Sequence, residues 1–224
     1  MDTANKKILR KSNLFQGIDD HKCYHLINCL RPQKKHYSKN EIIILTGDSV
    51  NHIGIILSGD ACAYKEDIHG NQNVMSYFQP IATFGEILAS TTTHKSPVTV
   101  YAMSDVTAAF IDYHKIYSVC TEACISHKTF IQNIHRSIGD KYFNLFDRIN
   151  ILKEKTLRAK IMAYLYVLSG RKEVSVVTLP FSKTILADYL LVNRSALSRE
   201  LGKMESDGLV SINGREIEVR QSFN

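Results

Sequence analysis

Arg194, Ser195, Ser198 and Arg199 recur at a spacing that sets them on one side of a helix, with Leu197, Leu201 and Met204 forming an apolar stripe on the other. Two guanidinium groups and two hydroxyls make a recognition set rather than a proton-transfer set. A guanidinium fork presents paired donors that match guanine O6 and N7 together, and a hydroxyl donates or accepts as the site requires. Arg199 is the leading candidate for such a guanine contact, and Arg194 for a base or a phosphate. Lys203 and Arg215 suit phosphates, which position a protein on a duplex without specifying sequence. The competing reading is ordinary solvated charge, and it bears harder on Lys203 than on Arg199.

These side chains need elements to aim them. Ser182 is a good N-cap for a helix running through Leu190, and Asn193 can cap the next one after the short Val192-Asn193 turn. That second helix runs from Arg194 to Met204 and carries the recognition set. Gly208-Leu209-Val210 then leads into Ser211 to Val219, where Asn213-Gly214 between short strands is a strong hairpin signal. Helix, tight turn, helix and hairpin make a winged helix-turn-helix, whose second helix enters the major groove.

Upstream, the period is that of strands. Tyr37 to Leu45 ends in an unbroken Ile42-Ile43-Ile44-Leu45 run, and Ile53–Leu57, Ala61–Lys65, Val74–Phe78, Val98–Ala102 and Val106–Phe110 follow with Gly- or Asp-bearing turns between. Closely spaced strands of this kind predict a rolled antiparallel sheet. From Tyr113 the period becomes helical, with Ile116, Ala123, Phe130, Ile131, Ile134 and Ile138 on one stripe that continues to Tyr142 and Leu145. One helix of about 30 residues exceeds what a compact domain usually needs. Its stripe predicts a parallel homodimer, so a charge at Ile131 or Ile134 should weaken self-association. The alternative is that the stripe packs on the chain's own sheet. A further helix is expected over Thr156–Leu168.

The predicted fold class is therefore α+β: an antiparallel β-roll (a double-stranded β-helix), a long dimerisation helix and a C-terminal winged helix-turn-helix. The expected divisions are residues 1–112, 113–148 and 149–224. Charge agrees without deciding. The 224 residues carry a net +6, and residues 150–224 hold 12 Lys+Arg against 8 Asp+Glu, while residues 1–149 hold 16 against 14. Five scattered cysteines cannot form a complete disulfide set, which points to a reducing cytoplasm. No apolar run approaches the roughly 20 residues that span a bilayer, so no membrane partner is expected. No nucleophile motif suggests an enzyme.

Leu179-Pro180-Phe181-Ser182-Lys183, Ala187-Asp188-Tyr189-Leu190, Asn193-Arg194-Ser195-Ala196-Leu197-Ser198-Arg199 and Met204-Glu205-Ser206-Asp207-Gly208-Leu209 resemble the DNA-binding motif of the CRP/FNR superfamily of bacterial transcription regulators. Gly47-Asp48, Ile53 to Gly59 and Phe84-Gly85-Glu86-Ile87 resemble that family's cyclic-nucleotide-binding roll and its phosphate cassette. The resemblance spans about residues 12–220. It implies a dimer on a palindromic operator in double-stranded DNA, switched from the roll, with RNA polymerase as a further partner.

By the same resemblance, Gly85, Glu86, Lys95, Ser96 and Asn144 are the effector-pocket candidates. The family's cyclic-nucleotide binders follow Gly-Glu with Arg-Ser, where this chain has Lys95-Ser96 and a loop one residue short. Lysine lacks arginine's bidentate geometry, and Phe143 intrudes beside Asn144, so cAMP is not the expected effector. Ser195 stands where many members carry a cytosine-reading Glu, which implies a different operator sequence. Cys23 and Cys29 fall short of the four ligands an iron–sulfur cluster needs, and the His21, His25, Cys29 spacing is common on any helix, so no metal site is assigned. Two alternatives to the regulator reading remain: a ligand-binding or protein-interaction module without specific DNA binding, and a redox sensor using thiols or a cluster.

Overall fold

Strands with one apolar face need a second layer to cover it, and residues 33–112 supply two four-stranded sheets. The computed structural model describes residues 3–68, 70, 72–117, 125–171, 176–180 and 182–220. They form two compact units, Met1–Asp140 and Lys141–Asn224.

The first unit opens with helix α1 (Thr3–Arg10), a 3-10 turn (Asn13–Phe15) and helix α2 (Asp20–Leu30), whose first amides are capped by the Asp19 carboxylate. Strands β1 (Gln33–Tyr37), β2 (Ile42–Ile44), β3 (His52–Ser58), β4 (Ala61–Glu66), β5 (Gln72–Phe78) and β6 (Thr83–Phe84) follow. Helix α3 (Glu86–Ala89) precedes β7 (Thr99–Ala102), β8 (Val106–Asp112) and the short helix α4 (Tyr113–Tyr117). All pairings are antiparallel, in two four-stranded sheets of order β1-β8-β3-β6 and β2-β7-β4-β5. Ile44, Ile56, Ala63, Val100, Val106 and Phe110, drawn from both sheets, share one core.

The continuous strand expected from Tyr37 is two strands. β1 pairs with β8 and β2 with β7, so the chain changes sheets between them. β1 reads Gln-Lys-Lys-His-Tyr with only Tyr37 buried, because it is an edge strand whose side chains face water. Lysine stems can lie on apolar surface with their charge in water, as Lys35 does over the Phe110 ring at 5.4 Å. No hydrophobic period marks such a strand.

Helix α5 (Ile125–Lys153) has 29 residues, close to the expected length, but starts twelve residues after Tyr113. Residues 118–124 between α4 and α5, including Cys120, Ala123 and Cys124, lie outside the described residues. The described residues of the expected dimer stripe from Ile116 to Ile138 pack instead on the chain's own core. Phe130 and Ile134 are fully buried and Ile116 nearly so, in a core with Leu14, Phe15, Leu26, Ile27, Ile53 and Ile111 of the same chain. Ile131 and Ile138 are partly buried against that core. The Phe15 and Phe130 rings lie 4.9 Å apart, and the Asn133 amide donates to the Leu14 and Gln16 carbonyls at 3.0 and 2.8 Å. Periodicity reveals that a helix face is covered without revealing what covers it. A charge at Ile134 would therefore break this core rather than an interface.

The second unit holds the last turns of α5, then α6 (Leu157–Leu168), β9 (Val176–Thr178), α7 (Lys183–Tyr189), α8 (Arg194–Ser206), β10 (Val210–Asn213) and β11 (Glu216–Val219). Ser182 and Asn193 accept from the Ile185 and Ser195 amides, the caps expected of them. β10 and β11 pair from Val210–Val219 to Asn213–Glu216 around the Asn-Gly turn, and β9 extends them to a three-stranded wing. Ile161, Leu165, Leu186, Leu197, Leu201, Met204 and Ile217 form its core.

Candidate nucleic-acid interface and sensor pocket

Helix α8 turns its apolar stripe inward, with Leu197, Leu201 and Met204 buried, and this leaves Arg194, Ser195, Ser198, Arg199 and Lys203 exposed. The acids of the same stretch are held elsewhere. Glu200 accepts from Arg158 Nε at 2.7 Å, and Asp207, the C-cap, lies 2.7 Å from Arg158 Nη1. Glu205 accepts from the Ile212 amide of the wing at 2.9 Å. Among the described residues Arg194, Arg199 and Lys203 enter no ion pair. The outcome is an electropositive helix face with free donors, the electrostatic form that a phosphate backbone requires.

Two of the sequence-assigned residues are engaged. Ser195 Oγ donates to Asn193 Oδ1 at 2.6 Å, which makes it part of the cap. Arg215 Nε donates to the Leu179 carbonyl at 3.2 Å while the Leu179 amide donates to the Arg215 carbonyl, so the wing is fastened there. Both residues are exposed, as their spacing predicts, but the Arg215–Leu179 bond joins positions 36 apart and leaves no sign in the local sequence.

The end of α5 is built into the same unit. Arg171 donates to both Asp147 oxygens at 2.9 and 3.0 Å, and Ile151 joins the core. The Arg148 guanidinium lies over the Tyr189 ring at 4.7 Å, and Tyr189 packs edge-on against Tyr164 at 5.3 Å. Burial raises both tyrosine pKa values, so these rings are neutral packing groups.

The roll treats its polar groups in the opposite way. Gly85 adopts φ +84°, and a Cβ there would stand 2.6 Å from the His52 carbonyl oxygen, so only glycine fits. Glu86 follows it and is completely enclosed. Its Oε1 accepts from Thr83 Oγ1 at 2.9 Å and from Ser137 Oγ of α5 at 3.1 Å. Asn13 Nδ2 lies 3.5 Å from the same Ser137 hydroxyl. Ser96 is buried and donates to the Val98 carbonyl at 2.7 Å, while Lys95 is exposed. Asn144 is an exposed residue of the second unit. Of the five pocket candidates, Glu86 and Ser96 are thus committed to internal bonds. Sequence reading misses Ser137 because a hydroxyl meeting a carboxylate 51 residues away leaves no local pattern, while Thr83, three residues before Glu86, is a local partner it passes over.

The cysteines separate as well. Cys23 is buried and its thiol is pushed up to about 11, chiefly by desolvation, while Cys29 on the same helix is exposed and Cys62 is buried. Among the described residues no group of three or more His, Cys, Asp or Glu is placed to hold a metal ion.

A β-roll with its own helical cover and a winged helix-turn-helix with a cationic reading face define a two-part DNA-binding class. Comparison with known proteins agrees. Residues 34–123 match the family model for the cyclic nucleotide-binding domain, and residues 159–222 match that for the Crp-like helix-turn-helix domain. The transcriptional activator protein FnrA of Stutzerimonas stutzeri is 21% identical over 198 residues, covering 86% of this chain and 77% of FnrA. Among solved structures, CooA of Carboxydothermus hydrogenoformans superposes with a TM-score of 0.67 at 18% identity, over 87% of this chain and 89% of that one. The c-di-GMP-responsive regulator CLP of Xanthomonas campestris gives 0.65 at 17%, over 91% and 100%. FixK2 of Bradyrhizobium japonicum gives 0.62 at 17%, over 85% and 93%. At these identities the structural likeness is one of fold. The chain belongs to the CRP/FNR superfamily of transcription regulators, with a sensor roll and a helix-turn-helix DNA-binding domain.

Proposed function

We propose that the chain acts as a homodimer that reads a two-fold symmetric DNA site with Arg199 and Arg194 on base edges and Lys203 on phosphate, under control of an effector other than cAMP. The observation that carries this reading is the sorting of charge on α8, where three cations stand free and every acid is tied back. Recognition rather than catalysis is its work, in the cytoplasm and together with RNA polymerase. Among the described residues no helix is long and apolar enough to cross a membrane. Residues 1–112 sense, 113–148 couple and dimerise, and 149–224 read DNA, with the turns of α5 after residue 141 built into the reading unit.

The dimer face differs from the stripe first assigned. On the last turns of α5, Tyr142, Phe146 and Ile149 are exposed at 64%, 52% and 44%, and their spacings of four and three are those of a helix-pair seam. A second copy of the chain is the occupant this family implies. The enclosure of Glu86 and Ser96 supports an effector bound differently from a cyclic nucleotide.

Selection of duplexes from a random pool by the full-length protein tests the reading. A two-fold symmetric consensus bound with a steep salt dependence is expected. Retention without any sequence preference would refute it. In sedimentation, Tyr142→Asp should weaken self-association by about tenfold or more, and an unchanged dimer would remove that face from the account.

A further inference from the structure

Arg158 lies at the start of α6, outside the helix-turn-helix motif, and carries none of the roles assigned above. Its guanidinium meets α8 at two places. Nε meets Glu200 in the middle of the helix, and Nη1 meets Asp207 at its C-terminal cap, each at 2.7 Å. Those anchors are seven residues apart, about 10 Å along the helix axis. Two fixed points on a rod define its direction where a single point leaves it free to pivot. Arg158, Glu200 and Asp207 keep 39%, 20% and 49% of their side chains in water, and ion pairs so exposed add little to stability. Their effect is on direction and on charge. Glu200 adjoins Arg199, and its carboxylate would weaken the field of the reading face if it swung free.

We propose that Arg158 is a positioning residue for DNA recognition, a two-point clamp that fixes the angle at which α8 presents Arg194 and Arg199. The inference rests on the DNA-reading function proposed above. It concerns sequence discrimination, since base-edge hydrogen bonds demand alignment that phosphate attraction does not. Arginine suits the task because its planar fork offers donors in two set directions, whereas an ammonium is a point charge.

The test measures binding of the full-length protein to its selected duplex and to a scrambled duplex of equal length, at matched salt. Arg158→Met with Glu200→Gln removes the clamp and leaves net charge unchanged. The expected result is about a tenfold loss on the selected duplex, the size of one lost base contact, with scrambled-duplex affinity and salt slope unaltered. Arg158→Lys keeps the charge and should lose about threefold in the ratio of the two affinities, a smaller share of the same contact. It serves as the deciding variant if the double variant does not fold. Wild-type discrimination in the Lys variant, or equal losses on both duplexes, would overturn the clamp. Failure of the wild-type protein to prefer any duplex would instead refute the function on which the clamp rests.

Discussion

On α8 the cations Arg194, Arg199 and Lys203 are exposed and the acids Glu200, Glu205 and Asp207 are held by protein partners; in the Gly85–Ser96 segment Glu86 and Ser96 are enclosed while Lys95 is exposed. The contrast separates two uses of polar side chains. A surface that meets a polyanion must keep its donors unspent until the ligand arrives. A carboxylate without an outside partner must be satisfied from within, because burial of a bare charge is costly. Thr83 and Ser137 supply donors to Glu86 Oε1, and Ser137 ties the cassette of the roll to α5. The reading helix thus keeps its donors free, whereas Glu86 and Ser96 of the roll bond within the chain.

The contrast can be tested from its strongest element downward. Phe130→Ala removes a fully buried ring that packs on Phe15 and should cost about 3–5 kcal/mol. Thermal unfolding should show a large loss in the roll's transition and near-wild-type cooperativity in the winged unit. A loss shared equally by both would deny their separate cores.

Glu86→Ala leaves the Thr83 and Ser137 hydroxyls without their acceptor, and a cost of about 1–3 kcal/mol follows. Hydrogen exchange of α3 and of the Ser137 turn should quicken together. If instead the wild-type protein binds cAMP and Glu86→Ala abolishes that binding with no loss of stability, the internal role is wrong.

The smallest effect concerns pH. Burial, reinforced by His25, holds His127 below its usual 6.5 in the folded chain. The unfolded chain takes the proton first, so this histidine's contribution is present above pH 6.5 and is lost as pH falls below it. His127→Gln should flatten the acid limb of a stability curve taken from pH 7.5 to 5, and an unchanged limb would assign that slope to other groups.

How much of this was legible in the sequence also differs between the two regions. The winged unit is legible almost element by element, because caps at Ser182 and Asn193, the Asn213-Gly214 turn and the Leu197, Leu201, Met204 stripe are local signals. The roll is legible only as a class. Its edge strand Gln33–Tyr37 has no apolar period, and β6 is two residues long. The site followed the same rule. Arg199 could be placed from helical spacing alone, whereas the Glu86–Ser137 and Arg158–Asp207 pairs join residues about 50 positions apart. The α5 stripe shows the limit in another form, since Phe130 and Ile134 face the chain's own core and Tyr142 and Phe146 face outward along one helix.

The function proposed for α8 divides its exposed cations into a base reader and a phosphate holder. Affinities of wild-type, Arg199→Ala and Lys203→Ala proteins for the selected duplex, and for duplexes altered at single positions, measured across a salt series, test it most directly. Arg199→Ala should lose about 1–3 kcal/mol on the selected duplex and become indifferent to one base pair in each half-site. Lys203→Ala should weaken all duplexes alike and reduce the salt slope by about 1. Base preference unchanged in Arg199→Ala, or lost in Lys203→Ala, would contradict the account.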